Sequence, residues 1–156
     1  MAQSRPASVR RVVALVYAML GLLAVGTALT FVYHEQLILS WAEGNEAAQT
    51  ILRDGGIEAL ERSAIHVPGF SALAITSCVT YAMLAWVLVA FLLGRHHWAR
   101  WSLVAVMGFT AFMGALGLAQ SLPVPFVIVS AAGVLMALAT IFFLFRRDLG
   151  DYLRLL

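Results

Sequence analysis

His34, Glu35 and His66 are the residues whose types could hold a metal. Two imidazoles and a carboxylate make a donor set suited to zinc or copper. His34-Glu35 closes one long apolar run and His66 precedes the next, so folding could bring the trio to one end of a bundle. The spacing argues against it, because no two of these residues stand at i, i+4 or at a short chelating distance in the chain. The expected complement of metal and cofactor is therefore none. A row of hydroxyls is the second candidate. Thr76, Ser77, Thr80 and Tyr81 fall within six residues of one apolar run. Hydroxyls in such a run bond to backbone or to a neighbouring helix, and four together can line a polar path. Packing is the plainer reading. Cys78 is the single cysteine, which excludes an intrachain disulfide and the paired thiols of membrane disulfide-exchange enzymes. A Ser-His-Asp set, a phosphate-binding glycine loop and an HExxH motif are all absent. No enzyme activity is expected, and no basic, aromatic-studded segment suggests nucleic acid.

The elements that must carry these groups are set by hydropathy. Of the 156 residues 62% are hydrophobic and 12% charged, where a soluble domain holds about 25% charged. The expected fold class is all-α: a polytopic membrane protein whose four spans form one bundle, a single membrane domain over 1–156. Residues 12–33 carry no charge and would extend about 33 Å as a helix, enough for a ~30 Å hydrocarbon layer. They exceed the apolar core of a secretory signal and read as a retained first span. Pro68-Gly69 opens the second, 70–93. From Trp101 to Phe145 no residue is charged; one helix of that length would be about 67 Å, twice the membrane. Pro123 and Pro125 break it, giving spans at about 101–120 and 124–145.

Orientation follows from arginine. All ten basic residues are Arg. With the N-terminus inside, eight (Arg5, Arg10, Arg11, Arg95, Arg100, Arg146, Arg147, Arg154) fall on the cytoplasmic side, and only Arg53 and Arg62 fall outside. Short arginine-rich loops stay in the cytoplasm. The expected location is the bacterial plasma membrane with both termini cytoplasmic. Trp98, Arg100 and Trp101 read as interface anchors where the third span begins.

The spans carry no Asp, Glu, Lys, Arg or mid-membrane His. Intramembrane ionisable groups mark ion paths and proton relays. Small four-span multidrug exporters share this size but need an acid in the first helix, so proton-coupled transport is not expected. Small residues at helical spacing offer packing faces: Gly21, Ala24 and Ala28; Gly108, Ala111, Ala115 and Ala119; Ser130, Gly133, Ala137 and Thr140.

Between the first two spans, 34–69 form an exoplasmic loop that is acidic over 34–66, with six acids against two arginines. Asn45 is placed to cap a short helix over Glu46–Asp54, ending at Gly55, with another over Ile57–Ser63 held by Glu58 and Arg62 at i, i+4. The tail, 146–156, places Leu149, Tyr152, Leu153 and Leu156 at i, i+3, i+4, i+7, with Arg147 and Asp151 at pairing distance. It reads as an amphipathic continuation of the fourth helix, weakened by Gly150.

Three stretches, Arg5-Pro6-Ala7-Ser8-Val9, Trp98-Ala99-Arg100 and Arg146 to Tyr152, give the chain a layout that resembles a group of small four-span membrane proteins common in actinobacteria. The resemblance implies a high-GC source and this topology, and it brings no activity with it. The residues themselves favour a non-enzymatic protein acting through contacts with the bilayer and with other membrane proteins or itself: an accessory or assembly subunit of a larger membrane complex. Two alternatives stand beside it. One is a homo-oligomeric transporter or channel for an uncharged or lipidic solute, with the second span's hydroxyls on the path. The other is an outward-facing sensor or metal-binding protein built on His34, Glu35 and His66.

Overall fold

The computed structural model describes residues 6–63, 68–120 and 122–154. Seven helices and no strand occur among them: α1 (Ala7–Val32), α2 (His34–Glu43), α3 (Glu46–Arg62), α4 (Phe70–Leu93), α5 (His97–Leu118), α6 (Val124–Leu144) and α7 (Arg147–Arg154). Four of these, α1, α4, α5 and α6, are long and apolar enough to cross a membrane. They form a ring in which α1 lies between α4 and α6, and α5 closes the circle against both. The α5–α6 hairpin is the tightest pair. Its turn is made by the expected prolines: Pro123 sits before the first residue of α6 and Pro125 in its first turn, where a missing N–H costs nothing.

One end of the ring carries the arginines and the other carries the loop helices. Described residues Arg10, Arg11, Arg95, Arg100, Arg146, Arg147 and Arg154 are at the first end, Arg53 and Arg62 at the second. The two halves are packed differently. The main core joins Val9, Val12, Val16 and Met19 of α1 to Leu88, Val89 and Leu92 of α4, Leu103 and Met107 of α5, and Ala137 and Leu144 of α6. All of these lie in the arginine half.

That end is closed by α7. The sequence suggests a continuation of α6, but α6 stops at Leu144 and the chain turns at Phe145–Arg146 before a separate helix begins. The turn lets the tail's apolar stripe fold back onto the bundle. Leu149, Tyr152 and Leu153 are buried as their spacing implies; Leu156 lies outside the described residues. The Tyr152 hydroxyl donates to the Leu93 carbonyl at 3.1 Å, and the Arg95 guanidinium covers the Tyr152 ring at 4.8 Å. The expected Arg147–Asp151 pair does not form; Arg146 and Asp148 approach instead, at 3.8 Å. Arg95 is the one non-glycine residue at positive φ (62°) among those described. It occupies the left-handed position after α4, where His96 N–H bonds the Phe91 carbonyl and Arg95 N–H the Leu92 carbonyl, the double bond of a Schellman turn.

The first turn of α1 has no side-chain cap of its own. Asp148 of α7 lies beside that turn. The Ser8 hydroxyl beside it, together with the backbone N–H groups of Asp148 and Ser8 and the Arg146 charge, holds the Asp148 carboxyl below the usual carboxylate range. The Ser8 hydroxyl itself is buried without a hydrogen-bond partner of ordinary geometry among the described residues. A depressed folded-state value means that the ionised carboxylate adds stability above the ordinary aspartate pKa of about 3.9, and that this gain fades as pH falls through the folded value. Asp148→Asn should therefore lower the unfolding midpoint at neutral pH, and the gap to the unsubstituted chain should narrow as pH falls below the ordinary aspartate value of about 3.9. Midpoints measured in detergent across that range check it; a gap independent of pH contradicts it.

At the opposite end, the loop is more helical than the sequence reading allows. Residues 34–43 form α2, whose Leu37, Ile38 and Ala42 are buried. Asn45 caps α3 as expected, its side chain accepting from Ala48 N–H at 3.3 Å. The two expected short helices are both there: α3 runs Glu46–Arg62, but Gly56, with φ 72° and ψ −169°, is non-helical and divides it across a kink; that region of backbone space is open essentially to glycine alone. Glu58 and Arg62 pair at 3.0 Å on an exposed face. Ile38, Ala42, Ala48 and Leu60 form a second, small core, with Trp41 and Phe70 against it. The loop is thus a helical hairpin seated on the start of α4.

Candidate functional site: a cavity in the loop half of the bundle

Where the arginine half is filled, the loop half is hollow. A cavity of about 860 Å³ lies within the ring there, walled by α1, α4, α5 and α6. Its size falls within the ~300–1,000 Å³ of small-molecule sites. The cause is visible in residue size. Gly26, Ala74, Cys78, Ala105, Gly114 and Gly133 all line it, and such side chains cannot meet across the middle of a four-helix ring. Leucine, valine and methionine hold the corresponding positions in the packed half.

The expected hydroxyl row belongs to this wall. Thr76, Ser77, Thr80 and Tyr81 all line the cavity. Thr76 returns its proton to the Ala72 carbonyl at 2.9 Å. The Tyr81 hydroxyl, half-buried, reaches the Met107 sulfur at 3.7 Å beside the Thr110 hydroxyl. Sequence reasoning missed the hydroxyls that α1 and α5 bring, Thr27, Thr30 and Thr110, and read Ser130 of α6 as a packing residue alone. The available signal was their shared depth, since each lies in the loop half of its helix. Thr27 donates to Leu23 at 2.9 Å, with a longer approach of 3.5 Å to the Ala74 carbonyl of α4. Thr30 and Thr110 bond carbonyls within their own helices. Ser77, Thr80 and Ser130 make no hydrogen bond with the described residues. No Asp, Glu, Arg or His lines the cavity.

The small-residue faces are only partly where spacing suggests. On α1, Gly21, Ala24 and Ala28 are exposed to the outside of the bundle, and a β-carbon on Gly21 would meet nothing within 4 Å. Gly26 is the close approach, its β-position 3.5 Å from Val129 of α6. On α5, Ala115 and Ala119 are exposed, Ala111 is half-buried, and Gly108 again faces open space. Gly114 and Gly117 make the contact: a β-carbon on Gly114 would fall 2.8 Å from Val134 Cγ2, and one on Gly117 3.4 Å from the Ser130 hydroxyl. The α6 face does turn inward. Ala137 and Thr140 are fully buried, Thr140 bonding the Met136 carbonyl at 2.7 Å, and Gly133 lies against Leu22 of α1. Alanine is as compatible with lipid as with an interior, so its periodicity fixes a helical period and not which side faces in.

At the arginine end Trp98 and Trp101 are exposed and Arg100 is half-buried. Trp98 packs on Phe91 at 4.8 Å, Trp101 meets Phe145 edge-on at 5.9 Å, and the Arg100 guanidinium lies 5.5 Å from the Phe145 ring centre. Of the metal candidates, His34 and Glu35 are exposed on the first turn of α2, and His66 lies outside the described residues. No group of three His, Cys, Asp or Glu able to hold a metal occurs among the described residues.

No protein-family model matches the chain, and no curated protein or solved structure proves similar to it.

Proposed function

We propose that this chain is a non-enzymatic protein of the bacterial plasma membrane, both termini in the cytoplasm, that takes up an uncharged lipidic solute into the hollow half of its bundle. The cavity carries the reading. It is open enough to admit a ligand, lined mainly by apolar groups, and holds no Asp, Glu, Arg or His, so an ion or charged substrate finds no counter-charge there to replace its hydration. The arginine distribution supports the orientation, which sets the cavity in the outer leaflet. The all-arginine composition and the likeness to small actinobacterial four-span proteins belong to the same proposal. Of the functions the sequence leaves open, this is the transporter class, and it requires neither proton coupling nor a metal.

An accessory subunit of a larger complex is the second reading, and one observation favours it. The outward faces of α4 show Leu73, Met83 and Trp86, each about two-thirds exposed, and α4 adjoins α5 less closely than α5 adjoins α6. A partner's helix could lie against that side.

A photoreactive diazirine-bearing hydrocarbon in proteoliposomes separates the two. Lipid binding predicts saturable labelling of Tyr81 and Met113, abolished by excess unlabelled hydrocarbon. Labelling confined to outward side chains such as Leu135 and Phe142, and linear in probe concentration, refutes it.

A further inference from the structure

The cavity's three unpartnered hydroxyls point to a particular kind of ligand, and this inference rests on the cavity reading above. Ser77, Thr80 and Ser130 stand on two facing helices and find no acceptor among the described residues, while Thr27, Thr30, Thr76 and Thr110 in the same cavity return their protons to helix carbonyls. A hydroxyl in a water-poor, apolar setting is costly without a partner. Their depth decides what the partner can be. Ser77 and Thr80 are seven and ten residues into α4 from Phe70, and Ser130 is six into α6 from Val124, so they lie about 9 to 15 Å below the loop ends of their helices at 1.5 Å per residue. In a ~30 Å hydrocarbon layer that is beneath the headgroups, toward the middle. A phosphate or ammonium drawn to that depth would be a buried charge with no counter-charge on the walls.

We infer that the cavity selects a neutral lipid with a small oxygen head, an alcohol, ketone or ester on a hydrocarbon body, whose oxygen accepts from one or two of the Ser77, Thr80 and Ser130 hydroxyls. The hydrocarbon body lies against Leu84, Phe109 and Met113. Phospholipids are excluded by their charged heads, and pure hydrocarbons bind without the polar gain.

The test uses the full chain in phosphatidylcholine nanodiscs with tritiated oleyl alcohol as the probe. Unlabelled oleyl alcohol should displace it about tenfold more effectively than 1-octadecene, as one to two net hydrogen bonds imply, and octadecyl sulfate should not compete. The combined Ser77→Ala, Thr80→Val and Ser130→Ala substitutions should bring oleyl alcohol down to the level of octadecene. Selectivity is read first on the unsubstituted chain, so a poorly folding variant leaves the test intact. Equal competition by octadecene overturns the hydroxyl inference and leaves the cavity reading standing. Equal competition by octadecyl sulfate overturns the neutral head. Absence of saturable binding by any of the three overturns the cavity reading and this inference with it.

Discussion

Gly114→Leu is expected to lower bundle stability by about 3 kcal/mol, near the upper end of what overpacking costs, while Gly108→Leu on the same helix stays within about 0.5 kcal/mol. The difference is one of geometry. A β-carbon at position 114 would stand 2.8 Å from Val134 Cγ2 and 3.5 Å from the Ser130 carbonyl oxygen of α6, and one at position 108 would meet nothing within 4 Å. Val134 cannot turn away easily, because a β-branched side chain in a helix has one strongly preferred rotamer. The hairpin must therefore open, and opening it separates the closest pair of helices in the bundle. Membrane helices associate by close packing rather than by exclusion from water, so the lost contacts are not replaced. Unfolding by titration with sodium dodecyl sulfate in mixed micelles gives both numbers. Equal costs at 108 and 114 would mean that α5 presents the face its alanine spacing suggests.

Leu153→Ala should release α7 from the end of the bundle, at a cost of about 3 kcal/mol, within the range for a buried leucine truncation. Leu149 and Leu153 are fully buried at the arginine end, and Tyr152 is nearly so. The other face of α7 is charged and exposed, with Arg147, Asp148, Asp151 and Arg154. This helix therefore faces water, where the hydrophobic effect acts on it in full, unlike the spans. With eight residues it is too short to persist alone, so undocking and unfolding are one event. Hydrogen exchange at residues 147–154 should rise steeply in the variant while the spans stay protected. Unchanged protection there would show that the helix is held by its arginines and not by its leucines.

How much of this was legible in the sequence differs from element to element, for physical reasons. The spans are legible because lipid admits only helices with their backbone bonds satisfied internally, which leaves uncharged runs and a Pro-x-Pro break as sufficient marks. The cap at Asn45 is legible because it depends on four consecutive residues, Asn45 to Ala48. Helix α2 carried a readable stripe in Leu37, Ile38, Trp41 and Ala42, concealed by the expectation that a polar stretch between spans is loop. The inward phase of α1 and α5 was not legible, since small residues mark both lipid-facing and buried sides; the contact glycines Gly26 and Gly114 are told from Gly21 and Gly108 only by what stands opposite. The hydroxyl row on α4 could be picked out, yet its meaning could not. The cavity exists because small residues on four different helices reach the same level, and that coincidence is a property of the packed bundle.

The central claim is that the loop half of the bundle holds a lipid, and native mass spectrometry of the full chain, extracted gently from its own membrane, tests it most directly. Cys78 lines the cavity and is half-buried, so Cys78→Phe places a ring in the volume the ligand would occupy. The expected result is one neutral lipid retained in stoichiometric amount by the unsubstituted chain and lost from Cys78→Phe. A bare chain, or the same phospholipid adducts on both proteins, would contradict the claim.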